Sequence, residues 1–119
     1  MKHVFAIIKP VRLEPVREAL EKVGVTGMTV SDVRGFGSQG GIVDTYRGVE
    51  YRVDWVQKIR LDIVVSDPFL EPTITAIMES AHTGEVGDGK IFVSDIEAAY
   101  RVRTSEKDEA AITPAVGTF

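Results

Sequence analysis

The spacing of apolar residues along the chain changes between two periods, and each period predicts a different kind of element. Residues 4–8 form a short apolar run typical of a buried strand, and residues 13–23 then place Leu and Val at helical spacing until Gly24. Residues 28–33 are rich in β-branched side chains and are followed by glycines, which predicts a second strand. The chain therefore begins with strand, helix and strand.

The rest of the pattern adds two strands and one helix. Residues 58–65 alternate charged with apolar side chains, which predicts a third strand. Asp67 and Pro68 signal the start of a second helix, whose apolar face ends near His82. Residues 91–93 supply a fourth short strand.

The resulting order is β-α-β-β-α-β, which predicts an α+β domain of the ferredoxin-like, split-βαβ type. In such a domain both helices cover one face of the sheet and leave the other face bare. A chain of 119 residues has little else to cover that face with. We therefore expect the protein to self-associate.

A long insert separates the second and third strands. Residues 37–57 contain Ile, Val, Tyr and Trp, whereas a hairpin would normally need two to five residues. This composition indicates a recognition loop that becomes ordered against a partner. An extended hairpin with marginal packing explains the periodicity of the insert equally well.

The C-terminal tail over residues 104–119 is polar, and it is predicted to be mobile.

Composition limits the class of protein. With 44% hydrophobic and 27% charged residues in 13.0 kDa, the chain is typical of one soluble globular domain without a membrane span. The N-terminus lacks the apolar core of a signal peptide, so we expect a cytoplasmic protein. The absence of cysteine excludes disulfides, thiolate metal sites and thiol nucleophiles, and the two histidines, His3 and His82, are most simply surface groups.

Charge is distributed unevenly along the chain. Residues 1–60 carry 10 basic and 7 acidic groups, whereas residues 61–119 carry 4 and 11, for a net charge of −4. This balance disfavours nucleic-acid binding. The basic half is still suited to an anionic small molecule, because a local cluster of Lys and Arg matters more to a ligand than the net charge.

A glycine-rich segment over residues 83–91 contains Gly84 and Gly89-Lys90 at the spacing of a Walker A loop. Ile91 stands where that loop needs Ser or Thr for magnesium, and the segment leaves a helix and enters a strand, so it is not a P-loop. Its glycines still allow an anion to approach backbone amides beside a lysine. Taken alone, a plain glycine turn with a solvated lysine is the simpler interpretation.

Two further features point to phosphate. A second glycine cluster over residues 35–41 opens the long insert, and Arg101 and Arg103 alternate along a strand-like stretch. Each alone has a structural explanation, but together with the first glycine segment they predict a nucleotide site. The serines have no Ser-x-x-Lys or His partner nearby, so we expect binding without catalysis and assign no catalytic residue.

Several motifs resemble, in order and spacing, those of the nitrogen regulatory protein PII family. They are Lys9-Pro10, Gly35-Phe36-Gly37, Tyr46-Arg47-Gly48-Val49-Glu50-Tyr51, the segment Thr83 to Phe92, and Arg101-Val102-Arg103-Thr104. The resemblance covers residues 1 to about 112. It implies a ferredoxin-like PII domain over 1–112 with a T-loop at about 37–57, and a C-terminal tail at 113–119.

The resemblance also implies ligands and an assembly. Proteins of this family are homotrimers that bind ATP or ADP in clefts between subunits, and 2-oxoglutarate beside Mg²⁺ and ATP. They then regulate an enzyme, a kinase or an ammonium transporter through the T-loop. A dicarboxylate that chelates a nucleotide-bound metal needs ATP first, so its binding reports both carbon and energy status.

Residue roles carry over position by position from that resemblance. The implied nucleotide contacts are Met28, Thr29, Phe36, Gly37, Ser38, Gln39, Val64, Gly87, Asp88, Gly89, Lys90, Arg101 and Arg103. The implied 2-oxoglutarate contacts are Lys9, Gly37, Gln39, Gly41, Lys58 and Gly87, with Gln39 also a magnesium ligand. Tyr51 matches the tyrosine that many members have nucleotidylated.

Two positions depart from the family pattern. Ser38 stands in place of a frequent Arg, which removes a cation that would favour the γ-phosphate, and Val49 replaces the usual Ala or Ser. One alternative is a related protein that senses another small carboxylate or bicarbonate with adenine nucleotides, although Gln39 and Lys58 argue against it. A second alternative is an enzyme or metal-binding module that shares only the fold.

Overall fold

The computed structural model describes residues 1–37, 45–46, 49–50 and 54–113. The strands are β1 (Lys2–Ile8), β2 (Thr29–Gly35), β3 (Thr45–Tyr46), β4 (Val49–Glu50), β5 (Val56–Val65) and β6 (Lys90–Asp95). The helices are α1 (Leu13–Lys22), α2 (Leu70–Ala81) and the short α3 (Glu109–Ile112). Short 3₁₀ turns over Pro10–Arg12 and Asp67–Phe69 lead into α1 and α2, where the prolines fit an N-terminal turn.

Four strands form one antiparallel sheet in the order β2-β5-β1-β6. This is the order of a ferredoxin-like sheet, and the predicted α+β class with a four-stranded sheet is confirmed. Between β2 and β5, β3 pairs with β4 in a separate two-stranded sheet. The central strand β5 begins at Val56, so its first two residues extend into the range assigned to the insert.

The core lies between the two long helices and one face of the sheet. Alternate residues of β1 and β5, among them Val4 and Leu61, are fully buried, as the period of two requires. Val16 of α1 and Ile77 of α2 close over them, since the apolar stripe of each helix must leave water. This packing fixes which side chains the strands present on the opposite, open face.

The open face carries a chain of aromatic and charged side chains. Phe5 stacks on Phe92 with ring centroids 4.8 Å apart, and the Arg60 guanidinium lies 4.2 Å from the centroid of the Phe5 ring. Arg60 also donates two hydrogen bonds to Asp62, at 2.9 and 3.0 Å, and His3 lies 2.8 Å from the same carboxylate. His3, predicted to be a surface group, is thus three-quarters buried against Asp62.

Two expectations about the C-terminal part were wrong. Arg101 and Arg103 do not lie on a strand-like stretch, because residues 102–104 form a turn. Residues 104–113 contain α3 and several backbone hydrogen bonds, including one of 2.8 Å from the Ala111 amide to the Asp108 carbonyl. Polar composition predicted a mobile tail over residues 104–119, but residues 104–113 form hydrogen bonds back to residues 99–101. Residues 114–119 of that tail lie outside the described residues.

Among the helices described between residues 1 and 113, none has the length and apolar character needed to cross a membrane.

Candidate functional site

The glycine segment between α2 and β6, residues 83–90, is a turn organised by one carboxylate. Asp88 accepts hydrogen bonds from the amides of Thr83 and Gly84, at 2.8 and 2.9 Å, and from the Thr83 hydroxyl. The Thr83 hydroxyl and amide, followed by the Gly84 amide and Lys9, hold the pKa of the Asp88 carboxyl well below its usual range. Asp88 therefore remains ionised and shapes this segment, which we call the glycine turn.

Two glycines of the turn have positive φ angles that other residues rarely adopt. Gly89 has φ +99°, and a Cβ atom there would lie 1.6 Å from the carbonyl oxygen of Ile7 in β1. Gly87 has φ +96°, and its Cβ atom would lie 3.1 Å from the Lys58 ammonium nitrogen and 3.6 Å from Lys9 Cε. Glycine at both positions lets the turn lie against the sheet and two lysines.

Two lysines from different strand ends converge on the glycine turn. Lys58 of β5 donates a hydrogen bond to the Gly87 carbonyl, and Lys9, just after β1, donates one of 3.0 Å to Thr83. Lys9 also lies 3.4 Å from Asp88. Burial, and secondarily the charge of Lys9, lower the pKa of Lys58, while Asp88 opposes that shift. A second anion at this point would relieve the repulsion between the two ammonium groups.

A cavity of about 870 Å³ opens at the other end of the sheet. Five residues with an implied role at the nucleotide line it: Met28, Thr29, Val64, Arg101 and Arg103. The walls also include His3, Asp62, the glycine-containing segment 24–27 and residues 111–113. This site thus combines apolar walls with hydroxyl, carboxylate and guanidinium groups.

The two clusters are far apart within one chain. Lys58 and Val64 lie on the same strand, six residues apart, which corresponds to about 20 Å. Residues 87–90 are not among the described residues that line the cavity. Lys90, at the start of β6, is opposite Ile7 and exposed. One copy of the chain therefore does not gather the implied nucleotide residues in a single cleft.

Phe36 lies outside both clusters. Its ring packs edge-to-face on Trp55, with centroids 4.9 Å apart, and both side chains are at least half exposed. Gly37 follows, at the end of a described segment, with open space around the position of a Cβ atom. Sequence reasoning counted Trp55 only in the apolar composition of the insert, since nothing in its spacing indicated a contact with Phe36, just after β2.

Four implied site residues lie outside the described residues, namely Ser38, Gln39, Gly41 and Tyr51. Sequence reasoning assigned no site role to His3 and Asp62, which line the cavity. Asp62 belongs to the alternating pattern of β5, so its position on the open face was predictable, but its contact with a residue 59 positions away was not.

Fold and site together define a ferredoxin-like α+β domain with a lysine-flanked glycine turn and an apolar, arginine-lined cavity. A family model described as nitrogen regulatory protein P-II matches residues 1–106. A nitrogen regulatory protein P-II of Pasteurella multocida is 55% identical over 112 residues, which cover 94% of this chain and all of the relative. Nitrogen regulatory protein P-II of Klebsiella oxytoca and P-II 1 of Escherichia coli K12 are each 52% identical over the same coverage. The chain therefore belongs to the nitrogen regulatory protein P-II family, and the predicted resemblance is confirmed.

Proposed function

We propose that the chain is a non-enzymatic signalling protein of the cytoplasm that binds ATP or ADP together with 2-oxoglutarate. As a homotrimer, it would regulate an enzyme, a kinase or an ammonium transporter through the T-loop at residues 37–57. Membership of a family of nitrogen regulatory proteins supports the regulatory role. The ligands, the assembly and the partners go beyond that membership.

The separation of the two clusters is the observation that carries the proposal. The cavity holds Met28, Thr29 and Val64 at one end of the sheet, whereas Lys58 and Gly87 meet at the other end. A neighbouring copy that packs on the open sheet face would bring its glycine turn to the cavity of the first copy. Such a site is complete only between subunits, as closed symmetric oligomers allow.

The cavity fits an adenine base and its ribose. Its volume falls within the range of about 300–1,000 Å³ that is usual for small-molecule sites. Met28 and Val64 would pack on the base, and the Thr29 hydroxyl would bond the ribose. Arg101 and Arg103, which also line the cavity, would meet the phosphates.

The glycine turn fits an anion. Gly87 lies beside Lys58 and Lys9, and Gly89 lets the turn pack against β1 next to Lys90. The three lysines would supply cations to the ligand. The Asp88 carboxylate already accepts hydrogen bonds from the Thr83 and Gly84 amides. We therefore assign the backbone of Asp88, rather than its side chain, to the ligand.

The effector site would combine both ends of the insert with this turn. Mg²⁺, bound through oxygen atoms, would be held by Gln39 and the nucleotide phosphates, and it would supply the link to 2-oxoglutarate. Gly37 and Gly41 would donate amides, and Lys58 would pair with the distal carboxylate. Lys9 and Gly87, which lie next to Lys58, belong to the same set.

Calorimetry with ATP and ADP tests the proposal, combined with light scattering for the oligomeric state. We expect binding of both nucleotides without hydrolysis, and a mass of about three subunits at micromolar concentration. A monomer that binds neither nucleotide would contradict the proposal. ATP turnover would instead support the alternative of an enzyme with the same fold.

A further inference from the structure

Arg101, one of the two arginines of the cavity, is held by the C-terminal part of its own chain. Its Nη2 atom donates hydrogen bonds to the carbonyl oxygens of Ala110, at 3.0 Å, and Thr113. Its buried Nε atom lies 3.1 Å from a carboxylate oxygen of Glu106, without the alignment of a hydrogen bond. About four-fifths of the Arg101 side chain is buried as a result.

Backbone hydrogen bonds also join Arg101 to residues 105 and 106. The Arg101 amide donates to the Glu106 carbonyl and the Ser105 amide donates to the Arg101 carbonyl, each at 2.8 Å. The Asp108 amide donates to the Ala99 carbonyl at 2.7 Å. Residues 99–108 thus form a loop that is closed by backbone hydrogen bonds and contains Arg101.

Two residues of this loop have a backbone conformation that L-amino acids rarely adopt. Ser105 has φ +63°, and Asp108 has φ +55° with ψ −124°. Such residues persist only where surrounding contacts hold them, and they occur often in switch segments. The contacts to Arg101 and Ala99 are the ones that hold them here.

These contacts conflict with phosphate binding. A guanidinium binds phosphate best through two nitrogen atoms in parallel, and both such edges of the fork include Nη2. Because Nη2 is occupied by two carbonyl oxygens, a bidentate phosphate contact requires it to leave Ala110 and Thr113.

We propose that residues 105–113 form a latch that competes with the nucleotide phosphates for Arg101. This inference rests on the proposed function, because it assigns regulation to the same site. Molecules in which the latch is closed cannot make the full phosphate contact. The apparent ATP affinity is therefore reduced in proportion to the fraction of molecules in that state. Whatever stabilises the latch weakens nucleotide binding, and whatever opens it strengthens binding.

The test compares ATP binding by the full chain and by Glu106→Gln, with Glu106→Ala as a second variant. Both remove the ion pair with Arg101, so we expect the ATP dissociation constant to fall about two- to fivefold, the range of a partly exposed ion pair. Stopped-flow binding is expected to place the gain in the association rate, because the latch must open before phosphate enters.

Glu109→Gln is the matched control. It makes the same change in charge within the latch, on α3, at a side chain that forms no ion pair with Arg101 among the described residues. ATP affinity of Glu106→Gln equal to or weaker than that of Glu109→Gln would overturn the latch while the proposed function stands. No ATP binding by any of these chains would overturn both.

Discussion

The ammonium group of Lys58 donates a hydrogen bond to the carbonyl oxygen of Gly87, and so joins the central strand β5 to the glycine turn. Lys9 approaches the same glycine from the end of β1. The two contacts place two positive charges beside the glycine turn. Both lysines thereby occupy positions suited to a ligand carboxylate or phosphate.

Lys58→Ala is expected to weaken 2-oxoglutarate binding strongly and to leave ATP affinity nearly unchanged. The distal carboxylate loses a charge-assisted contact worth about 1.5–3 kcal/mol, or roughly 10- to 150-fold in affinity. Calorimetry of 2-oxoglutarate in excess Mg-ATP measures the effect. Lys22→Ala, at the exposed end of α1, is the control. Retention of 2-oxoglutarate affinity by Lys58→Ala would remove this residue from the effector site.

Mixed oligomers of two variants test whether the nucleotide site lies between subunits of the proposed trimer. Lys90→Ala and Arg101→Ala are each expected to lose tight ATP binding on their own. When equal amounts of the two variants are unfolded and refolded together, they assemble at random. About a quarter of the clefts should then contain the wild-type Lys90 of one subunit and the wild-type Arg101 of its neighbour. Calorimetry is expected to recover that fraction of tight sites. Recovery of none, with mixed assembly verified by mass spectrometry, would place both residues in one subunit's site.

Gly89→Ala is expected to lower the free energy of unfolding by about 2–4 kcal/mol, since a Cβ atom clashes with the Ile7 carbonyl and φ is positive. Gly35→Ala is the control, because a Cβ atom there meets nothing within 4 Å. Urea unfolding monitored by circular dichroism compares the two. Equal stability of both variants would mean that the turn does not lie against β1.

Acid is expected to weaken the open-face cluster through Asp62. Arg60, and to a lesser degree His3, lower the pKa of this carboxyl in the folded state, against the opposing effect of burial. Its contribution to stability is therefore full above the unfolded value of about 3.9 and is lost as pH falls through the lower folded value. Asp62→Asn should flatten the stability curve in that window. An unchanged slope would show that the ion pair does not form.

Local periodicity was enough to predict the sheet and its core. Alternation along β5 placed Leu61 inside and Asp62 outside, because the side-chain period of a strand is two. The contact between His3 and Asp62 was beyond this reasoning, since it depends on register between strands distant in sequence. Arg101 and Arg103 were misassigned to a strand, because two like residues two positions apart fit a turn equally well.

The roles of individual site residues were predicted from the family resemblance and not from periodicity. Lys58 and Gly87 do meet, although no spacing rule connects them. The contact of Glu106 with Arg101 depends on a loop in which Ser105 and Asp108 have positive φ angles. Residues other than glycine rarely adopt such angles, so the sequence did not indicate this loop. Roles at Gln39 and Tyr51 stay predictions.

Titration of 2-oxoglutarate into the protein alone, with ADP, and with Mg-ATP tests the proposed sensor most directly. Since the γ-phosphate helps to complete the oxygen shell of the metal, we expect binding with Mg-ATP and none in the other two states. Each ligand should then tighten the other by the same factor. Equal heats of binding in all three states would contradict the account.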